Sequence, residues 1–313
     1  MSLFNLFYNF NEKRLRGYIR VVIVSLLILF SYSISSKIAN LISDDFWFTV
    51  VDELISCILV CLVIFAASKY LDKRDFKRTL FNINSLWYKQ LVIGAVLGFV
   101  LIAINFLIFF MFFNVYINFG VKDTNVITFI IKVIVRLIGF FAVALNEEFY
   151  VRGYLLTNFS EVIYNKNQKP NFSIYWGLII TSCLFGILHY FNYNATIVSS
   201  INLAFIGLLY GYAYVVTGSL ALPIGLHLAW NFSQAQIFGL NVSGFSPMVS
   251  LLDTKYLSDK IIGGGDFGPE GGLIILISVI IGLFWIYKFS IVNKSQKINN
   301  FANIKSSIIN FYL

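Results

Sequence analysis

Residues Ile130–Val143, IIKVIVRLIGFFAV, run directly into Ala144–Leu155, ALNEEFYVRGYL. The first part is apolar enough to lie in lipid, and the second sets two adjacent glutamates and an arginine into what reads as the same helix. Ionisable side chains inside a bilayer are costly unless paired or hydrated, so their presence in a span marks a site by default.

The rest of the chain sets the same medium. Of 313 residues, 58% are hydrophobic, 12% are charged and 33 are Phe, and the mean hydropathy of +0.80 is far outside the range of a soluble domain. A bilayer core takes about 20 mostly apolar residues per helix. Windows of that kind fall at residues 20–37, 46–68, 90–113, 127–157, 172–190, 195–217, 219–239 and 271–290. The expected fold class is an all-α polytopic membrane protein, a bundle of about eight transmembrane helices. The fourth window is long enough to bend or protrude.

The net charge of +8 reads as topology rather than nucleic-acid binding, because the basic residues gather beside the apolar windows. They precede span one (Lys13, Arg14, Arg16, Arg20), separate spans two and three (Lys69, Lys73, Arg74, Lys77, Arg78) and spans four and five (Lys166, Lys169), and follow span eight (Lys288, Lys294, Lys297). With eight alternating spans all of these share one side. The expected topology is a multi-pass membrane protein with both termini cytoplasmic. The N-terminus has the basic-then-apolar order of a signal peptide but no small-residue cleavage site, and reads as a retained span. The cysteines lie in apolar segments; Cys57 and Cys61, four apart on one helix, read as structural thiols.

Three regions follow: an N-terminal three-helix segment (1–125), a helical core (126–240), and an outer loop, last span and cytoplasmic tail (241–313). The outer loop contains Gly263–Gly268, GGGDFG, which satisfies GxGxxG in letters only. A dinucleotide fingerprint needs a strand before it and a helix after it in a βαβ unit, so a flexible or tightly turning loop is the reading here.

The chain has two histidines, both in membrane spans: His189 in Phe185–His189, FGILH, and His227 in His227–Asn231, HLAWN. Glu148 and Arg152 stand four apart, about 40° around a helix axis, and meet on one face; Glu147 lies about 100° from Glu148. The two carboxylates therefore take different roles, Glu148 clamped by Arg152 and Glu147 pointing at the histidines in a central cavity. A buried glutamate beside an imidazole accepts a proton from water, and a donor aimed at a tetrahedral intermediate's oxygen stabilises it.

EEFYVR at Glu147–Arg152 resembles the EExxxR motif of the CAAX-processing and bacteriocin-processing (CPBP, or Abi) intramembrane proteases; FGILH resembles their FxxxH motif and HLAWN their HxxxN motif. Order, spacing and placement on separate apolar helices agree over about residues 127–240. The resemblance implies an endopeptidase that cleaves a peptide or membrane-protein substrate within or beside the lipid bilayer. It implies Glu147 as general base, His189 as its partner in holding the attacking water, and His227 with Asn231 as the group that steadies the oxyanion. No GxSxG elbow is present and no cysteine adjoins a histidine in sequence, so a covalent nucleophile has little support.

A metal is left open at this stage. Glu147, His189 and His227 make a two-histidine, one-carboxylate set that suits catalytic zinc, yet there is no HExxH helix, and a metal-bound Glu147 leaves the base unassigned. Two other classes stand beside the protease: a non-catalytic relative acting in bacteriocin self-immunity or as an envelope scaffold, and a transporter, whose paired broken helices the chain does not display. The bland readings are that Asp52 and Glu53 face water at the outer end of span two, that Lys132 and Arg136 snorkel, and that Glu270 in Phe267–Gly272, FGPEGG, is a solvated loop charge. The basic-loop topology puts the site in the middle or outer half of the bilayer, which disfavours a prenylated cytoplasmic terminus as substrate.

Overall fold

A computed structural model describes residues 6–10, 12–74, 83–120, 125–164, 170–257 and 260–292. Lys77, Arg78, Lys166, Lys169, Lys294 and Lys297, used above for topology, lie outside the described residues. Eight helical segments follow the expected order: α1 (Gly17–Ala39), α2 (Asp45–Ala66), α3 (Ser85–Phe112), α4 (Val126–Glu148), α5 (Pro170–His189), α6 (Ile197–Thr217), α7 (Ala221–Phe232) and α8 (Ile275–Val292). Six of them, α1 to α6, are long and apolar enough to cross a membrane. The last two are shorter helices, α7 being extended by a π-helical stretch, Ser233–Ile237.

α4 is the bent span. It continues through a π-helical stretch, Phe149–Leu156, into a final α-helical turn pair, Thr157–Ile163. Runs of π-helix are rare and concentrate at functional sites, and this one carries Arg152 of the EEFYVR motif.

α3 and α7 make the closest pairing in the bundle, and glycine is the cause. A Cβ on Gly94 would stand 2.2 Å from the Leu222 carbonyl oxygen, one on Gly98 2.3 Å from that of Leu226, and one on Gly225 2.0 Å from that of Leu91. Small residues four apart let two backbones meet inside lipid, where association rests on packing rather than on water release. The contact fixes the helix that carries His227 and Asn231. Around it, Leu97, Leu101, Leu203, Leu209, Leu222 and Trp230 form one buried cluster, and α1, α2 and the α4 extension form another around Val24, Val60, Tyr154 and Leu178.

Two short antiparallel ribbons were not legible as strands. β1 (Tyr8–Asn9) pairs with β2 (Arg14–Leu15). β3 (Asn114–Phe119), after α3, pairs with β4 (Leu252–Leu257), inside the outer loop, in the register Asn114↔Leu257 to Phe119↔Leu252. The β1–β2 turn delivers Arg14 into an ionic cluster at the terminal end of the bundle. Arg14 and Arg20 each donate to Glu161 Oε1, at 2.7 and 2.8 Å, Arg14 also donates to the Asp72 carbonyl at 2.8 Å, Arg20 pairs with Asp72, and Arg74 pairs with Glu161. Arg14 and Arg20, assigned above to topology alone, are buried. Their charges are neutralised by carboxylates rather than by solvent or lipid headgroups, so they also hold α1, the α2 end and the α4 extension together.

Candidate active site

The helix ends opposite that ionic cluster enclose a cavity of about 390 Å³. Its walls bring together residues from four helices: Glu147 from α4, His189 from the end of α5, Tyr210 from α6, and His227 with Asn231 from α7. The outer loop supplies the remaining wall, including Ser243 and Glu270. All four residues expected to carry chemistry therefore face one space, from helices that only the tertiary fold makes adjacent.

The hydrogen bonds fix the imidazoles. His189 Nδ1 lies 2.8 Å from the Phe185 carbonyl; a carbonyl only accepts, so Nδ1 carries the proton and Nε2 keeps its lone pair. The FxxxH spacing is what makes this possible, since it sets the histidine four residues after the carbonyl that receives its proton. His227 Nδ1 lies 3.0 Å from Glu148 Oε1, and the same oxygen accepts from Arg152 Nη1 at 2.8 Å. His227 Nε2 then faces Glu147 Oε2 at 3.9 Å, beyond a direct hydrogen bond. Glu147 Oε2 has no hydrogen-bond partner among the described residues.

Glu148 thus does more than meet Arg152. It is fully buried and joins the α4 clamp to the α7 histidine. Arg152 is held in turn by the Gly207 carbonyl at 2.9 Å and lies over the Phe185 and Tyr210 rings, 4.6 and 5.5 Å from their centroids. Tyr210 stacks on His227 with centroids 4.8 Å apart. One guanidinium therefore links α4 to α5, which bears His189, and to α6, which carries the ring stacked on His227.

Three bland readings are corrected. Glu270 is 2% exposed and lines the cavity: Oε1 accepts from Trp230 Nε1 at 3.0 Å, and Oε2 accepts from Ser243 N at 2.7 Å and Ser243 Oγ at 2.8 Å. The FGPEGG loop folds inward because Gly264, Gly265 and Gly268 take positive φ, which lets two 3-10 turns, Gly265–Phe267 and Pro269–Gly271, tuck Phe267 and Glu270 under the outer surface. Burial pushes the Glu270 carboxyl above the usual range, against the pull of its bonds from Ser243 and Trp230. Arg136 does not snorkel: it makes a two-pronged pair with Glu53, Nη1–Oε2 2.7 Å and Nη2–Oε1 2.9 Å. Gly139 leaves room for that pair, because a Cβ there would stand 2.2 Å from Glu53 Oε2. Asp52 and Glu53 line the same cavity, and Asp52 accepts from Ser35.

Among the described residues no group of three His, Cys, Asp or Glu side chains could hold a metal ion.

The class these features define is a polytopic membrane protein whose helical bundle encloses a carboxylate–imidazole site. Residues 129–233 match the family model described as Rce1-like, Type II CAAX prenyl endopeptidase Rce1-like, a model of the CPBP family. The matched segment contains all three motifs. Neither a curated protein nor a solved structure matches the chain.

Proposed function

We propose that this chain is an intramembrane endopeptidase that hydrolyses a peptide bond with a water molecule activated by Glu147 and the histidines. The observation that supports it most is that Glu147, His189, His227 and Asn231 line one cavity with the imidazole Nδ1 atoms already committed to Phe185 and Glu148. Both Nε2 atoms are thereby left for chemistry.

A water between Glu147 Oε2 and the imidazoles gives its proton to Glu147 while its oxygen bonds to the substrate carbonyl carbon. The carbonyl electrons move to oxygen, and the Asn231 amide donates to the resulting oxyanion. His227 donates to it as well only when Nε2 is protonated; the Glu148 carboxylate on Nδ1 stabilises that imidazolium, as a buried acid does in an oriented triad. The proton on Glu147 then passes to the amide nitrogen, the C–N bond breaks, and acid and amine products leave. Oxyanion donors in a shielded site contribute about 3–4 kcal/mol each.

The substrate class is a membrane-inserted peptide or protein. Lys69, Lys73 and Arg74 at the terminal end support an orientation with both termini cytoplasmic and the cavity in the outer half of the membrane, as in a bacterial plasma membrane. Single cysteines at Lys73 and Asp253 test it: labelling from outside is expected at 253, and labelling at 73 overturns it.

The functional test uses Glu147→Gln and His189→Ala in proteoliposomes. Both are expected to insert and fold while cleavage is lost. Full cleavage by both variants removes the hydrolase reading and leaves a chain that acts by binding.

A further inference from the structure

The terminal end of the bundle turns its acids inward and its lysines outward. Glu12, Asp72 and Glu161 are each paired with Arg14, Arg20 or Arg74, and their side chains are at most 8% exposed. Lys13, Lys69 and Lys73 are exposed, and none of them pairs with a carboxylate among the described residues. Among described residues 6–18 and 67–74, the charge presented to the surroundings is therefore positive.

The lysines are also gathered. Lys73 Nζ donates to the Lys13 carbonyl in the β1–β2 turn. Both residues take positive φ, 52° at Lys13 and 55° at Lys73, a conformation that residues other than glycine rarely adopt. Lys69 stands four residues earlier, its Nζ 5.2 Å from the Tyr70 ring centroid.

Beside them lie apolar side chains: Leu6, Phe7, Phe10 and Tyr70 are each at least half exposed. Two hydrogen bonds set the depth of the first two. The Phe7 carbonyl accepts from Arg16 N at 2.9 Å, and the Leu6 carbonyl accepts from Tyr18 Oη. Arg16 precedes α1 and Tyr18 lies in its first turn, and α1 is long and apolar enough to cross the membrane. Leu6 and Phe7 therefore lie where a span leaves the hydrocarbon. Apolar and aromatic side chains at that level enter the acyl boundary, and lysines reach the headgroups.

We propose that the β1–β2 ribbon and the end of α2 form a docking surface for anionic phospholipid, with Leu6 and Phe7 in the acyl boundary and Lys13, Lys69 and Lys73 on the headgroup phosphates. The buried ionic cluster supplies the selectivity. It keeps Asp72 and Glu161 on arginines inside the bundle, where they do not repel an anion, and it holds the ribbon in place through Arg14. An acidic soluble protein would match the lysines but not the apolar side chains at membrane depth beside them.

Titration of the full-length chain in neutral detergent micelles tests this, with phosphatidylglycerol or phosphatidylcholine of the same acyl chains as probe and bound lipid counted by native mass spectrometry. Phosphatidylglycerol is expected to bind at least about tenfold tighter, since one lysine near an anionic surface is worth roughly fivefold in affinity. Lys13→Gln, Lys69→Gln and Lys73→Gln are each expected to lower phosphatidylglycerol affinity by about that factor and to leave phosphatidylcholine unchanged. The triple variant is expected to bind the two lipids alike. Phe7→Ser is expected to weaken both lipids equally, and Lys255→Gln, at the opposite end, to change neither. The substituted side chains are all exposed, so the fold is expected to survive each change. Equal affinity of the parent for the two lipids overturns the proposal. So does a preference that survives in the triple variant, one that Lys255→Gln also removes, or a Phe7→Ser chain that binds lipid as the parent does. Inorganic phosphate that displaces phosphatidylglycerol at constant ionic strength contradicts a lipid site and leaves a bare anion site.

Discussion

His227 is oriented by Glu148: its Nδ1 lies 3.0 Å from Glu148 Oε1, on the oxygen that also receives Arg152 at 2.8 Å. The second glutamate of the EEFYVR motif is therefore both the counter-ion of a guanidinium and the acceptor that sets a histidine tautomer. Two substitutions probe these tasks. Glu148→Gln can present its amide nitrogen to His227 Nδ1, which favours the wrong tautomer, and it also leaves the Arg152 charge uncompensated, so cleavage is expected to fall by on the order of 10²–10⁴-fold together with a loss of thermal stability. Arg152→Ala instead leaves a buried carboxylate without its cation, and thermal unfolding in detergent is expected to show a loss of about 3–5 kcal/mol. An Arg152→Ala chain as stable as the parent contradicts the clamp.

The Glu53–Arg136 pair ties α2 to α4 at the cavity wall. Removing one partner strands the other charge in a partly buried setting, so Arg136→Gln is expected to cost about 3 kcal/mol. The Glu53→Gln, Arg136→Gln double variant is expected to recover most of that loss, because neither charge is then uncompensated. A double-mutant cycle from detergent melting checks the coupling; additive losses contradict it.

Glu270 predicts a pH dependence whose sign follows from burial. Its folded-state pKa is raised above the unfolded value of about 4.3, so the native state binds its proton more tightly than the unfolded chain. The stability this confers is fully present below the unfolded pKa and is lost as pH rises through the folded one. Asp72, also raised by burial, works in the same sense, so the comparison is made against Glu270→Gln. Melting temperatures of the parent are expected to fall more steeply with rising pH over that window than those of the variant; parallel curves contradict the assignment.

The helices and the site differ in how far they could be read in advance. The spans declare themselves by length and apolarity, and the three motifs by local spacing: Glu148–Arg152 and Phe185–His189 are both contacts within one helix. Contacts between distant residues have no such local signature. His227–Glu148 and Arg136–Glu53 are separated by 79 and 83 positions, and no local period encodes them. Glu270 was misread for the same reason, although two signals were present: a glycine-dense turn around a proline, and Trp230, whose indole N–H needs an acceptor when buried in a span. The Gly94–Gly98 spacing of α3 is a sequence signal of close helix packing, but it does not say which helix approaches. Short strands such as β3 lack enough residues to stand apart from the apolar helix that precedes them.

The most direct test of the central claim is the comparison, by mass spectrometry, of peptides released from membranes containing the unsubstituted chain or Glu147→Gln at equal abundance. Peptides with new termini mapping within or beside transmembrane segments are expected only with the unsubstituted chain. Identical peptide sets from both would contradict a reaction in which Glu147 takes the proton of the attacking water.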